Sequence, residues 1–233
     1  MEEKKYEHVF FDLDRTLWDF ESNSVEALSE IHKEYLGNGQ FFSAEEFIKK
    51  YKQINAHYWA LYRQDKIEKE LLRTIRFSKT MEHFGLGEKK LSEKIADAYV
   101  KISPYKPGLV DGTKEVLDYL QDKAYSMHII TNGFDEVQWI KLEQSGLKPY
   151  MDQVIISEHV GKRKPHPLVF EQAIQAADAQ REHAVMIGDD LEADVVGARN
   201  FGMDQVFFNP EEEKHEEEVT FEIKHLLELK TIL

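Results

Sequence analysis

The chain has 233 residues, 42% of them hydrophobic, with 30 Lys+Arg against 44 Asp+Glu and a formal net charge of −14. That length buries a sizeable core as one domain with an insertion or as two small domains, and the acidic balance disfavours nucleic-acid polymers and anionic membranes as partners. Cysteine is absent, which excludes disulfides and thiolate zinc sites. The charged start, Met1-Glu2-Glu3-Lys4-Lys5-Tyr6, and the lack of a long apolar run predict a soluble cytoplasmic protein.

The first element is the stretch His8-Val9-Phe10-Phe11-Asp12-Leu13-Asp14-Arg15-Thr16-Leu17. Its apolar run predicts a strand buried on both faces, ending in two carboxylates one residue apart. Residues i and i+2 of an extended segment point the same way, so Asp12 and Asp14 repel unless a cation lies between them or one is protonated. Thr16 can offer a hydroxyl to the first carboxylate. A turn or helix cap after a strand uses the same residue types.

After Leu17 the texture changes to charged segments of helical periodicity. Val25, Leu28, Ile31 and Tyr35 repeat behind the capping candidates Ser22 and Ser24, with Gly37 and Gly39 as stops. Ser43-Ala44-Glu45-Glu46 has the form of a capping box, followed by a stripe of Phe47, Tyr51, Ile54, Tyr58 and Leu61. A third helix is expected to carry Ile67, Leu71, Ile75 and Phe84, and a fourth Leu91, Ile95, Tyr99 and Ile102 before Pro104 and Pro107. Residues 20–102 therefore read as an inserted helical domain, with 1–19 and 103–233 forming the core.

From Gly108 helix and strand alternate. Helices are expected at Thr113 to Leu120, Glu136 to Gln144, Pro167 to Ala177 and Leu191 to Phe201. Strands are expected at Ser126 to Thr131, Val154 to Ser157, Ala184 to Gly188 and Gln205 to Phe208. With the first strand these make five, the pattern of an α/β protein with a Rossmann-like, doubly wound parallel sheet. Glu211 to Glu218 reads as a solvated acidic loop, and Phe221, Ile223, Leu226, Leu227 and Leu229 as a final docking element.

Ligands of an open parallel sheet bind beyond the carboxyl ends of its strands. There the sequence offers Asp12 and Asp14, then Thr131-Asn132-Gly133, then Lys164-Pro165-His166-Pro167, then Gly188-Asp189-Asp190 with Asp194. Singly, each has a plain structural use as a turn, a helix cap or a surface lysine. Together they suit phosphoryl transfer from a monoester: one carboxylate to attack phosphorus, a second to shuttle the leaving-group proton, oxygen ligands for Mg²⁺, and an ammonium for the equatorial oxygens.

The ordered set Asp12-Leu13-Asp14-Arg15-Thr16, Thr131 with Asn132, Lys164, and Gly188-Asp189-Asp190 with Asp194 resembles the haloacid dehalogenase superfamily over nearly the whole chain. The resemblance implies a Rossmann-like core with an all-helical cap after the first strand. It also implies an aspartyl-phosphate on Asp12, Asp14 as acid/base, Thr131, Asn132 and Lys164 as phosphate holders, and Mg²⁺ bound by Asp12, the Asp14 carbonyl and Asp189, with Asp190 and Asp194 in support. Arg15 departs from the pattern, since many members have Gly there. The metal-independent dehalogenases of the superfamily lack the second aspartate, so Asp14 favours a phosphatase.

Substrate choice is expected in the cap, where Asn55 to Arg63 and Leu72 to Phe77 interleave aromatics with Arg, suited to stacking a base and holding an anion. Trp59, Arg73, Arg76 and Phe77 are the candidates. With Thr16-Leu17-Trp18-Asp19-Phe20 they resemble the YjjG-type pyrimidine 5′-nucleotidases. The expectation is a Mg²⁺-dependent 5′-nucleotidase acting on a small-molecule phosphomonoester. Its rivals are a sugar-phosphate phosphatase, an enzyme similar to β-phosphoglucomutase, and a non-catalytic phosphate- or nucleotide-binding module. A receiver domain is disfavoured, since Ser157-Glu158 stands after the third strand in place of its phosphorylated Asp. The oligomeric state is open at this level, a monomer being compatible with the sequence.

Overall fold

The structure, a computed structural model, describes residues 5–37 and 42–233. The chain divides into two compact units, residues 1–20 with 107–233 and residues 21–106. No described helix is long and apolar enough to cross a membrane.

In chain order the elements are β1 (His8–Phe11), α1 (Phe20–Tyr35), α2 (Ala44–Arg63), α3 (Lys69–His83), α4 (Lys89–Ile102), α5 (Thr113–Asp122), β2 (Ser126–Thr131), α6 (Asp135–Gln144), β3 (Gln153–Ile156) and α7 (Ser157–Val160). They continue as α8 (Pro167–Ala176), β4 (Ala184–Gly188), a π-helical turn (Leu191–Val196), α9 (Gly197–Phe201), β5 (Asp204–Phe208) and β6 (Phe221–Ile223).

The sheet is parallel throughout, with strand order β3-β2-β1-β4-β5-β6. β1 is central, and alternation along it feeds both faces. Val9 and Phe11 join one core with Val116, Leu117, Leu120, Leu142 and Leu226. Phe10 joins the other with Val169, Phe170, Ala173 and Ala198. Side chains of successive strand residues point to opposite faces, so a central strand must be apolar at every position. Phe11 is level with Ile129 of β2 and Ile187 of β4, which sets the polar residues after these strands along one edge. The chain moves outward from β1 through β2 to β3, then resumes at β4 on the other side of β1. The crevice of such a sheet therefore lies between β1 and β4.

The sixth strand was not among the five expected. β6 has only three residues and pairs with β5 from Val206 to Phe208, so no period could register. The stretch from Glu211 to Glu218 is loop, as expected. The helix expected over Leu191 to Phe201 begins as a π-helical turn, where the Asp190 side chain accepts from the Ala193 amide at 2.9 Å and the Asp194 side chain from the Asp190 amide at 3.1 Å. Such widened turns concentrate at functional sites.

The helical unit has its own core, with Leu28, Ile31, Phe47, Tyr51, Phe77, Met81, Ile95 and Tyr99 at its centre. The Ser43–Glu46 capping box is present at the start of α2. Ser22 and Ser24 lie inside α1, not before it; Ser24 is buried and its hydroxyl accepts from Tyr99 at 3.1 Å. Gly37 has the left-handed φ of 73° that ends a helix, and Gly39, like Met1 to Lys4, lies outside the described residues. On α3 the inward face is Leu72, Arg76, Phe77, Thr80 and Met81, whereas Leu71 is 46% exposed. The expected stripe through Leu71 and Ile75 is displaced by one position because the true face includes a buried arginine, which interrupts its apolar pattern.

Candidate active site

Just beyond Phe11, the Asp12 amide still donates to Ile187 of β4 at 2.9 Å, so the sheet itself fixes this residue. Carboxylate oxygens of Asp12, Asp189 and Asp194 all lie within 4.8 Å of one another. Lys164 reaches them from the loop before α8: its Nζ donates to Asp12 Oδ1 at 2.7 Å and to the Ile130 carbonyl at 2.6 Å, and lies 2.6 Å from Asp194 Oδ1. Lys164 is 1% exposed and Asp194 1%.

Two buried carboxylates, Asp12 and Asp194, and the part-exposed Asp189 meet one ammonium, and the imbalance shows in their acidity. Burial pushes Asp12 up against the pull of Lys164, and the Asp14 charge adds to the rise. Asp189 is raised well above the usual range by burial and then by Asp12 and Asp194, with Arg15 pulling the other way. Asp194 is raised to about 7 by burial and the Asp12 charge, opposed by Lys164. Burial alone would lower Lys164, but Asp12 and Asp194 outweigh it and hold it above its ordinary value. A cluster of hard oxygen donors short of positive charge is suited to a divalent cation such as Mg²⁺.

Asp14 faces elsewhere. Its carboxylate takes Lys141 Nζ on one oxygen at 2.5 Å and Gln138 Nε2 on the other at 2.9 Å. Gln138 Nε2 also donates to Thr131 Oγ1 at 2.6 Å, and that oxygen accepts the Gly133 amide at 3.1 Å. With its oxygen accepting twice, the Thr131 hydroxyl keeps its own proton to donate. Thr16, expected to hold the first carboxylate, donates instead to Asp189 at 3.1 Å. Arg15 has a left-handed φ of 68°, a conformation that glycine adopts without strain. Its guanidinium lies 4.4 Å from the centre of the Phe20 ring.

Two expected site residues are otherwise engaged. The Asn132 amide clasps the Lys164 backbone, donating to its carbonyl and accepting its N–H, both at 2.9 Å, and also accepts from Ser157 at 2.6 Å. Its side chain thereby holds the Lys164 backbone in place. Asp190 caps the following turn through Ala193 and stays outside the carboxylate cluster, which Asp194 joins instead.

Within the helical unit, Arg76 is 3% exposed, donating to Tyr51 Oη at 3.1 Å, Asn55 Oδ1 at 2.7 Å and the Leu72 carbonyl at 2.9 Å. Phe77 is fully buried, stacked on Tyr51 with ring centres 4.8 Å apart. Arg73 pairs with Asp97 at 2.8 Å. Trp59 is half-buried, its ring edge-on to Tyr62 and 5.9 Å from the Arg76 guanidinium. Phe77 is therefore core, not a platform for a base. Lys141 and Gln138 escaped the sequence reading because polar residues on a helix read as solvated; their spacing of three after the Thr131 turn was the only signal.

Residues 9–208 match the haloacid dehalogenase-like hydrolase family. The pyrimidine 5′-nucleotidase PynA of Streptococcus pneumoniae is 34% identical over 88% of this chain and 84% of its own. The pyrimidine 5′-nucleotidase YjjG of Escherichia coli is 32% identical over 98% of both. Among solved structures, magnesium-bound YfnB of Bacillus subtilis superposes with a TM-score of 0.88 at 27% identity, covering 98% of this chain and 99% of that one. With the acidic cluster at the β1–β4 crevice, this match over most of its length makes the chain a member of the haloacid dehalogenase-like hydrolases.

Proposed function

We propose that the protein is a Mg²⁺-dependent phosphatase that hydrolyses nucleoside 5′-monophosphates, pyrimidine nucleotides first among them, through an aspartyl-phosphate on Asp12. The observation that carries the reading is the similarity to two pyrimidine 5′-nucleotidases across 88% and 98% of the chain. The Asp12–Lys164–Asp189–Asp194 constellation, whose carboxylate oxygens lie within 4.8 Å of one another, supports it.

In this reading an Asp12 oxygen attacks phosphorus as the bond to the leaving oxygen breaks, and Asp14 gives that oxygen its proton. Asp14 then takes a proton from the water that attacks the phosphoryl group on Asp12, returning the free carboxylate and inorganic phosphate. Thr131 donates its hydroxyl to a phosphoryl oxygen. Lys164 tempers the charge of Asp12 and turns one donor to the phosphoryl group on binding. Asp12, Asp189 and the Asp14 main-chain carbonyl would hold Mg²⁺, with Asp194 in support; the ion supplies positive charge that offsets the repulsion between the carboxylates and the phosphate dianion. Substrate choice is assigned to the helical unit, with the half-buried Trp59 as its aromatic contact and Arg76 as the packed support beneath it.

The test is phosphate release from a panel of nucleoside 5′-monophosphates and sugar phosphates, with Mg²⁺ and with EDTA. Pyrimidine nucleotides should lead, activity should vanish in EDTA, and Asp12→Asn should retain under about a hundredth of the parent rate while staying folded. Preference for hexose phosphates over every nucleotide would replace the nucleotidase reading with the sugar-phosphate one, and an active Asp12→Asn would remove the nucleophile.

A further inference from the structure

A helix packed on a sheet normally turns apolar side chains inward. The buried residues of α6 are Gln138, Lys141 and Leu142, two of them polar and one of those a cation. Burying an ammonium and an amide carries a free-energy cost that persists only where partners offset it. Here both converge on one carboxylate. Lys141 takes one Asp14 oxygen at 2.5 Å, with its Nζ 4.3 Å from the centre of the fully buried Trp18 ring. Gln138 takes the other oxygen and, through the same nitrogen, Thr131. Gly133 completes the arrangement: a Cβ there would strike the Gln138 amide.

We propose that Lys141 and Gln138 are positioning residues for proton delivery to the leaving group. They grip both oxygens of Asp14, and Gln138 ties it to the Thr131 hydroxyl that donates to a phosphoryl oxygen, so acid and phosphate are placed by one linked unit. The proposal rests on the reading of Asp14 as the acid. When the bond from phosphorus to the leaving oxygen breaks, the Asp14 O–H bond also breaks and a new O–H bond forms on the departing alcohol. The electron pair left on Asp14 then faces the Lys141 ammonium, already in place and needing no reorganisation. Each carboxylate oxygen keeps a second lone-pair site, so the grip does not block the proton.

The experiment compares kcat/KM for uridine 5′-monophosphate, whose alkoxide leaving group needs a proton, with that for 4-nitrophenyl phosphate, whose phenolate departs without one. This ratio reports only steps up to leaving-group departure, so later hydrolysis does not obscure it. Lys141→Met should lower the value for the nucleotide by about a hundredfold, through kcat with little change in KM, and that for the aryl ester by less than about tenfold. Lys141→Arg should restore most of the loss. Gln138→Met, which keeps the side-chain volume, should show the same split at about tenfold. Asp14→Asn is the reference. If it splits the substrates and folded Lys141→Met and Gln138→Met lower both equally, or neither, the positioning role is overturned while Asp14 keeps its own. If Asp14→Asn itself shows no split, the assignment of the acid falls and the positioning role with it.

Discussion

Gly188 closes β4 at the point where the carboxylates gather, and its missing side chain is what admits Asp194. A Cβ at this position would lie 2.6 Å from Asp194 Cβ and closer still to its carboxylate, so the acid would have to swing away from Lys164. Gly188→Ala should therefore cut kcat by about a hundredfold, the scale expected when a reacting group is misplaced by about an ångström, with the fold checked by circular dichroism. A parent-like kcat would show that Asp194 has no exacting position. At this scale the sequence was legible where charge interrupts an apolar strand: Asp12 after Phe11 and Asp189 after Gly188 cannot be read as core. It was illegible where polarity is ordinary. Lys141 and Gln138 lie in a helix rich in polar residues, and only the fold reveals that they face inward. The position of Asn132 beside Thr131 was visible, but its clasp on the Lys164 backbone, 32 residues away, was not.

Among the elements, α3 carries two arginines with opposite fates three residues apart. Arg76 stands among the rings of Tyr51, Trp59, Phe77 and Tyr99, each centre within 6.0 Å of its guanidinium, and three of its hydrogen bonds are internal to the helical unit. Arg73 is paired at the surface, where an ion pair is worth little. Arg76→Ala should destabilise the protein by about 2–4 kcal/mol through a cavity and unpaired buried acceptors, whereas Arg73→Ala should cost under about 1 kcal/mol. Urea unfolding of both variants checks this, and equal midpoints would refute the difference. Strand positions were legible almost to the residue, since Ala184 to Gly188 is an apolar run and Ser126 to Thr131 centres on Met127, Ile129 and Ile130, both between turn residues. The face of α3 was not, because its central inward residue is a cation.

For the whole molecule, the carboxylate cluster makes stability depend on pH, and a bound cation should change that dependence. Asp12, Asp189 and Asp194 bind protons more tightly folded than unfolded. Between the ordinary carboxylate range and the Asp194 value of about 7 the folded state therefore holds more protons, and stability from this source is lost as pH rises through that window. His128 slopes the other way: burial, reinforced by the neighbouring His8, lowers it to about 4, so its contribution is lost as pH falls below about 6.5. That contribution is the same with or without metal and cancels in a comparison. Mg²⁺ should raise the melting temperature more at pH 8 than at pH 5. A hundredfold excess over Kd corresponds to about 2.7 kcal/mol, or roughly 5–10 °C. Asp189→Asn should melt higher than the parent in EDTA, because a repulsion is removed, and should lose the Mg²⁺ response. A Mg²⁺ shift retained in that variant would take Asp189 out of the metal site.

The chain leaves the sheet unit and rejoins it at almost one point. The Asp19 amide donates to the Gly108 carbonyl at 3.1 Å, the Val110 amide to the Leu17 carbonyl at 3.0 Å, and Trp18 bridges to Leu109. Everything between is a detour that begins and ends at one backbone staple, so its length and sequence can vary without altering the strand register or the crevice between β1 and β4. The hydrolytic machinery and the helical insert are thus free to change at independent rates: a new insert can be tried on an unaltered catalytic base, with the staple as the seam.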